Sequence, residues 1–157
     1  MAIYTLNINE FSTNDYALIG IHTTLNEYKL AYLLNKYLNV TFSKSTYDLD
    51  FTHKNNKSFY SVYEYTNTEL DYNWFLITNV YKSTRKTTTS TSLFNESDTI
   101  SRLIPEKKKV DFFLKIEGGY NLSDIVKTIE QINKIPQIIT SYNVEVESLK
   151  SKNFLIF

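Results

Sequence analysis

Tyr16 to His22 (Tyr-Ala-Leu-Ile-Gly-Ile-His) is a short, nearly continuous apolar run, the pattern of a strand buried on both faces and therefore central in its sheet. It leads into Thr24-Leu25-Asn26-Glu27, where the Thr24 hydroxyl and the Glu27 carboxylate can each satisfy an orphaned backbone N–H. Such a capping box predicts a helix start. Leu30, Ala31, Leu33, Leu34, Tyr37 and Leu38 then recur at three- and four-residue spacing, one apolar face of a helix over 25–38 that covers the sheet. Tyr47, Leu49 and Phe51 alternate with Asp48, Asp50 and Thr52, and Asn55-Asn56-Lys57 has turn chemistry. A hairpin is predicted here, its second arm running from Ser58 to Thr66. Tyr72 to Lys82, centred on Trp74, Phe75, Leu76 and Ile77, completes an antiparallel meander.

Ser83 to Ser92 is almost wholly Ser, Thr, Lys and Arg, too polar to pack, and predicts a mobile loop reaching to about residue 98. Asn95 to Leu103 reads as a short helix stopped by Ile104-Pro105, because a residue before proline is pushed out of the helical region. Val110, Phe112, Leu114 and Ile116 alternate with polar residues in a strand, and Gly118-Gly119 turns the chain into a second helix from near Ser123. That helix carries Ile125, Val126, Ile129 and Ile132 on one face and ends at Ile135-Pro136. Ile138 to Glu147 is a last long strand with Tyr142, Val144 and Val146 on one side, and Phe154 to Phe157 is apolar enough to dock as a short strand or pin. The order predicts a single α+β domain over 1–157, an antiparallel-rich sheet with two helices on one face. A ferredoxin-like βαββαβ core with an inserted hairpin fits it best.

Composition narrows the chemistry. The chain has no cysteine, which removes disulfides, thiolate zinc sites, iron–sulfur clusters and cysteine nucleophiles together and fits a reducing compartment. Met1 to Phe11 lacks the basic-then-apolar pattern of a leader, and no stretch approaches the roughly 18 apolar residues of a membrane span; a cytoplasmic location is expected. Seventeen basic residues balance seventeen acidic ones, against a general polyanion binder. Arg85 and Arg102 are the only arginines, so bidentate reading of phosphate or guanine is poorly supplied and nucleic acid is an improbable partner. The 13 tyrosines accompany abundant asparagine, lysine and isoleucine, all with AT-rich codons, and read first as codon bias rather than as a stacking surface.

No catalytic set emerges. His53 with Asp48 and Asp50 resembles a metal cluster, but period-2 geometry sends the aspartates to one face and the histidine to the other, so no metal and no cofactor is expected. His22, Thr23 and Thr24, at the end of a buried strand and the mouth of a capped helix, are the candidate ligand residues, since backbone N–H groups and the helix dipole favour an anion there. Glu145 and Glu147 share a strand face, and Asp111 can neighbour them if the C-terminal strands pair, but reactive carboxylates would further need shifted pKa values. Three glycines in all cannot write a dinucleotide fingerprint or a P-loop. Asp111 to Ile116 lacks the basic-Gly-aromatic-Gly pattern of an RNA-recognition strand.

One string is specific: Ile104-Pro105-Glu106-Lys107-Lys108-Lys109-Val110-Asp111-Phe112. It resembles the signature of the IPExxxVDY family, small bacterial proteins named for that string, with Phe112 standing where the name has tyrosine; the chain length and the Leu18–Leu34 region also look similar. The family has no assigned activity, so the resemblance implies a bacterial cytosolic protein and carries over no catalytic residue. Ile104, Pro105, Glu106, Val110, Asp111 and Phe112 are the candidate interaction residues. The expected function is a non-enzymatic binding module for a protein partner, and the alternative is a small-ligand sensor working between paired subunits of a homodimer, by analogy of fold.

Overall fold

Alternation along the chain decides which face each strand shows. In the computed structural model, which describes residues 16–86 and 96–157, β1 (Tyr16–Thr23) sends Ala17, Ile19 and Ile21 to one side and Tyr16 and Leu18 to the other. β9 (Phe112–Gly118), antiparallel to it, divides Phe112, Leu114 and Ile116 from Phe113 in the same way. Both strands are therefore buried on two faces, as near-continuous apolar runs require.

The remaining elements follow in order. α1 (Glu27–Leu38) leads to the short β2 (Ser43–Lys44), the hairpin β3 (Leu49–His53) and β4 (Asn56–Tyr60), then β5 (Val62–Asn67), β6 (Tyr72–Thr78), β7 (Val80–Lys86) and β8 (Glu96–Arg102). After β9 come α2 (Leu122–Asn133) and β10 (Ile138–Val144). One six-stranded sheet has the order β10-β1-β9-β6-β5-β2, with every neighbouring pair antiparallel. Its β10-β1-β9-β6 portion is the strand order of a βαββαβ core. The hairpins β3–β4 and β7–β8 are separate two-stranded sheets, so the core carries two insertions where the sequence suggests one.

Both helices cover the same face: Leu30, Ala31 and Leu34 of α1 and Ile125 and Ile132 of α2 pack with Ile19, Ile21, Leu76 and Leu114. The other face is covered by the hairpin β3–β4, the segment around Ile104–Val110 and the C-terminal residues, through Leu49, Tyr60, Ile104, Val110, Leu149 and Leu155. At Gly20 this second face is tight, since a Cβ there would lie 3.2 Å from both Val110 and Val144.

Several expectations are corrected. α1 is capped by Asn26, whose side chain accepts from the Lys29 N–H, so the helix starts two residues later than a Thr24–Glu27 box would place it. A reciprocal capping box does occur on α2, between Asn121 and Asp124. The short helix expected over 95–103 is strand β8, and Ser83 to Lys86 and Glu96 to Asp98, assigned above to a loop, belong to the β7–β8 ribbon, in register from Val80↔Arg102 to Lys86↔Glu96. Ladder pairing with a distant segment has overridden local polarity; the rest of that expected loop, 87–95, lies outside the described residues. The long apolar segments Ser58–Thr66 and Tyr72–Lys82 each break, at Ser61 and Asn79, where the chain passes between the main sheet and a hairpin. The last strand ends at Val144, and the C-terminus docks as a 3₁₀ turn over Lys152–Leu155 with Leu155 fully buried. Among the described residues no helix is long and apolar enough to cross a membrane.

Candidate functional site

Three strand ends meet at the mouth of α1. β1 finishes at Thr23, β6 at Thr78, and β9 starts at Phe112, with Ile21 opposite Phe112 and Thr78 opposite Phe112 on its other side. Asp111 is fixed at this junction. Its backbone N–H donates to Ile21 O at 3.0 Å, its carbonyl accepts from Asn79 N at 2.9 Å, and its carboxylate Oδ2 accepts the Thr23 N–H at 3.0 Å. Thr23, itself buried, donates its hydroxyl to Gln137 O at 2.8 Å and accepts from Leu25 N, ordering the loop into the helix. Thr23, Thr24, Tyr28, Val80, Lys82 and Asp111 thereby line one open groove of about 710 Å³, with Phe112 in its wall.

Two of the sequence-predicted groups thus converge and one departs. Thr23 and Thr24 join Asp111 and Phe112 across 88 residues of sequence at the closest bond, while His22, one position earlier on the strand, faces the opposite side of the sheet and bonds Tyr142 Oη through Nε2 at 3.1 Å. Burial raises the Tyr142 hydroxyl above its usual pKa. Tyr28 and Lys82 were not singled out by the sequence; Tyr28 is 60% exposed, but Tyr32 on the same helix is 66% exposed, so no sequence signal sets Tyr28 apart.

The nine-residue motif is mostly architectural. Ile104, Val110 and Phe112 are buried, so they serve the core first, and of the three Phe112 also forms part of the groove wall. Pro105 opens a 3₁₀ turn, Pro105–Lys107, that lifts the lysines outward, and Asn79, fully buried, holds the turn from below. Its Oδ1 accepts from Ile104 N at 2.8 Å, and its Nδ2 donates to Val110 O at 2.8 Å and Lys107 O at 3.1 Å. Glu106 reaches the C-terminal segment, accepting from Ser151 N at 2.6 Å and from the Ser151 hydroxyl at 3.0 Å. Burial acts to raise its carboxyl pKa, but these bonds and others from nearby backbone outweigh it and hold the group below its ordinary value.

The carboxylates do not assemble. Asp111 sits where Ile21 faces Phe112, whereas Glu145 and Glu147 follow Val144, which faces Leu18 at the other end of β1; Glu147 pairs with Lys152 at 3.4 Å. Asp48 pairs with Lys44 at 2.7 Å rather than meeting His53. A second concavity of about 420 Å³ lies at the start of α2, floored by Tyr72, Trp74 and Tyr120. No protein-family model matches the chain, and no curated protein matches it.

Proposed function

We propose that this protein is a non-enzymatic binding module of the bacterial cytosol, akin to the IPExxxVDY proteins, that engages a protein partner through the groove at the mouth of α1. The supporting observation is the convergence of two distant segments, Thr23–Tyr28 and Asp111–Phe112, with Val80 and Lys82 on one open groove. The exposed ring of Tyr28, the apolar Leu25 and Val80, and Lys82 beside Asp111 form the mixture of aromatic anchor and polar rim that protein contacts use. The test is affinity capture from the native cell with wild type and with Tyr28→Asp/Lys82→Glu, two changes on exposed side chains. Loss of a co-purifying protein at unchanged melting temperature supports the reading, and an identical capture profile rejects it.

The groove volume also suits a small ligand, which favours a sensor as the second reading. Thermal melts against fractionated cell metabolites separate the two: a low-molecular-weight fraction that raises the melting temperature of wild type, and not of the double variant, supports the sensor.

A further inference from the structure

The second face of the sheet holds a buried cation whose cover is the C-terminal segment. Lys115 is only 2% exposed, and among the described residues its ammonium makes one ion pair, to Glu117 Oε1 at 2.6 Å. Its other surroundings are aromatic faces, with ring centroids at 4.7 Å for Tyr16, 5.5 Å for Phe75 and 4.3 Å for Phe157. An ammonium carries three donors, and cation–π contacts replace hydration only in part. Beside it the Tyr16 hydroxyl is buried with no hydrogen-bond partner among the described residues. Of these two buried polar groups, the Lys115 ammonium lies directly under the Phe157 ring of that segment.

That segment is attached by a few side chains, among them Lys152, paired with Glu147 at 3.4 Å, and Phe157, whose ring also lies 6.5 Å from that of Tyr47. Leu155 is its one fully buried side chain. Phe154 lies on Phe51 of the β3–β4 hairpin with ring centroids 4.8 Å apart, and Phe157 meets Phe75 at 5.2 Å, yet both rings keep about two-fifths of their surface in solvent, 42% and 39%. The polar clamp between Glu106 and Ser151 stands at its beginning, outside the part that covers Lys115.

We propose that residues 152–157 form a displaceable strap, hinged at the Glu106–Ser151 clamp, that opens without unfolding the sheet and uncovers an aromatic floor with the Lys115 ammonium at its base. Opening exposes Leu155 and two rings to water, but it also restores hydration to an ammonium that is costly to keep buried. The two effects oppose each other, so the closed strap is poised rather than locked, and local opening of this kind falls well below global unfolding. The device lies on the face of the sheet opposite α1 and is independent of the groove.

Amine acylation of the full-length native protein, read lysine by lysine by mass spectrometry, tests it. The expected result is that Lys115 reacts more slowly than the exposed Lys29 and Lys36 but much faster than global unfolding, measured by exchange of the Ile19 and Leu114 amides. Phe154→Ala, at a partly exposed ring, should raise the Lys115 rate at least about ten-fold while rates at the other lysines and at the core amides stay unchanged, and Phe157→Ala should do the same. Lys115 labelling that tracks core amide exchange in wild type and in both variants would overturn the proposal, since the segment would then be part of the cooperative core.

Discussion

Three asparagines act as substitute peptide groups, each giving both ends of its amide to backbone. Asn35 accepts from Phe42 N at 2.6 Å and donates to Phe42 O at 3.1 Å; Asn133 accepts from Ser141 N at 2.8 Å and donates to Ser141 O at 3.3 Å; Asn79 does so between Ile104 and Val110. Asn133 thereby occupies outward-facing groups of β10, an edge strand whose bare N–H and C=O would otherwise invite another chain. None of this was visible in composition, where asparagine looked like codon bias, because the Asn79 partners lie 25 to 31 residues away. Asn79→Ala strands the Ile104 N–H and two carbonyls in the core and should cost about 3 kcal/mol in urea unfolding, at the upper end for buried unsatisfied groups. Asp111→Ala, which removes the charge-assisted acceptor for Thr23 N–H, should cost about 1.5–3 kcal/mol by the same measurement, with Asp111→Asn milder because an acceptor remains. Superimposable melts of wild type and Asp111→Ala would exclude the anchoring role. The sequence marked Asp111 as a candidate interaction residue, but not Thr23 as the donor it holds.

The elements most legible in the sequence were those with a buried stripe. The two helices repeat their apolar residues at the helical period, so position and face could both be read, whereas β1 and β6 were legible in position from near-continuous apolar runs; in β9 the face was legible only in part, since Phe113 and Val110 pack on the side opposite Phe112 and Leu114. β7–β8 was missed because the signal was absent: Ser83 and Thr84 belong to a ribbon held by cross-strand bonds such as Thr84 Oγ1 to Asp98 Oδ1 at 3.0 Å, not by packing on the core. The Thr24 box was a competing match, lost because Asn26 lies closer to the first helical turn and bonds Lys29 N itself. The turn after β9 was legible as Gly118-Gly119, and the two glycines differ. Gly118 has φ +97°, and a Cβ there would sit 2.2 Å from Asp71 O, whereas at Gly119 the nearest atom is 3.5 Å away. Gly118→Ala should destabilise by about 2 kcal/mol or more, and Gly119→Ala should stay within about 0.5 kcal/mol. Equal melting temperatures for the two variants would contradict this geometry.

For the molecule as a whole, one sheet divides two cores, and the motif joins the second of them to the C-terminal segment. Glu106 makes that joint pH-sensitive. Its pKa is lower in the folded protein than the ordinary 4.5, so the folded state favours the ionised form, and its contribution is complete above the ordinary value and lost as pH falls through the depressed one. Urea midpoints of wild type and Glu106→Gln should therefore differ at pH 7 and converge in acid; a gap that persists below both values would mean the charge is not what Ser151 binds. The site was half legible on this scale, because the sequence marked Thr23, Thr24 and Asp111 separately but held nothing to say that they share a groove. The double burial of β1 has a consequence for how the sheet finds its alignment. A strand apolar on both sides loses little hydrophobic contact if it slides by one residue, so burial alone cannot choose among alignments. Gly20 can. It is the notch that admits Val110 and Val144 where a methyl group would already crowd both, and a missing side chain thus favours the observed alignment of β1 with β10.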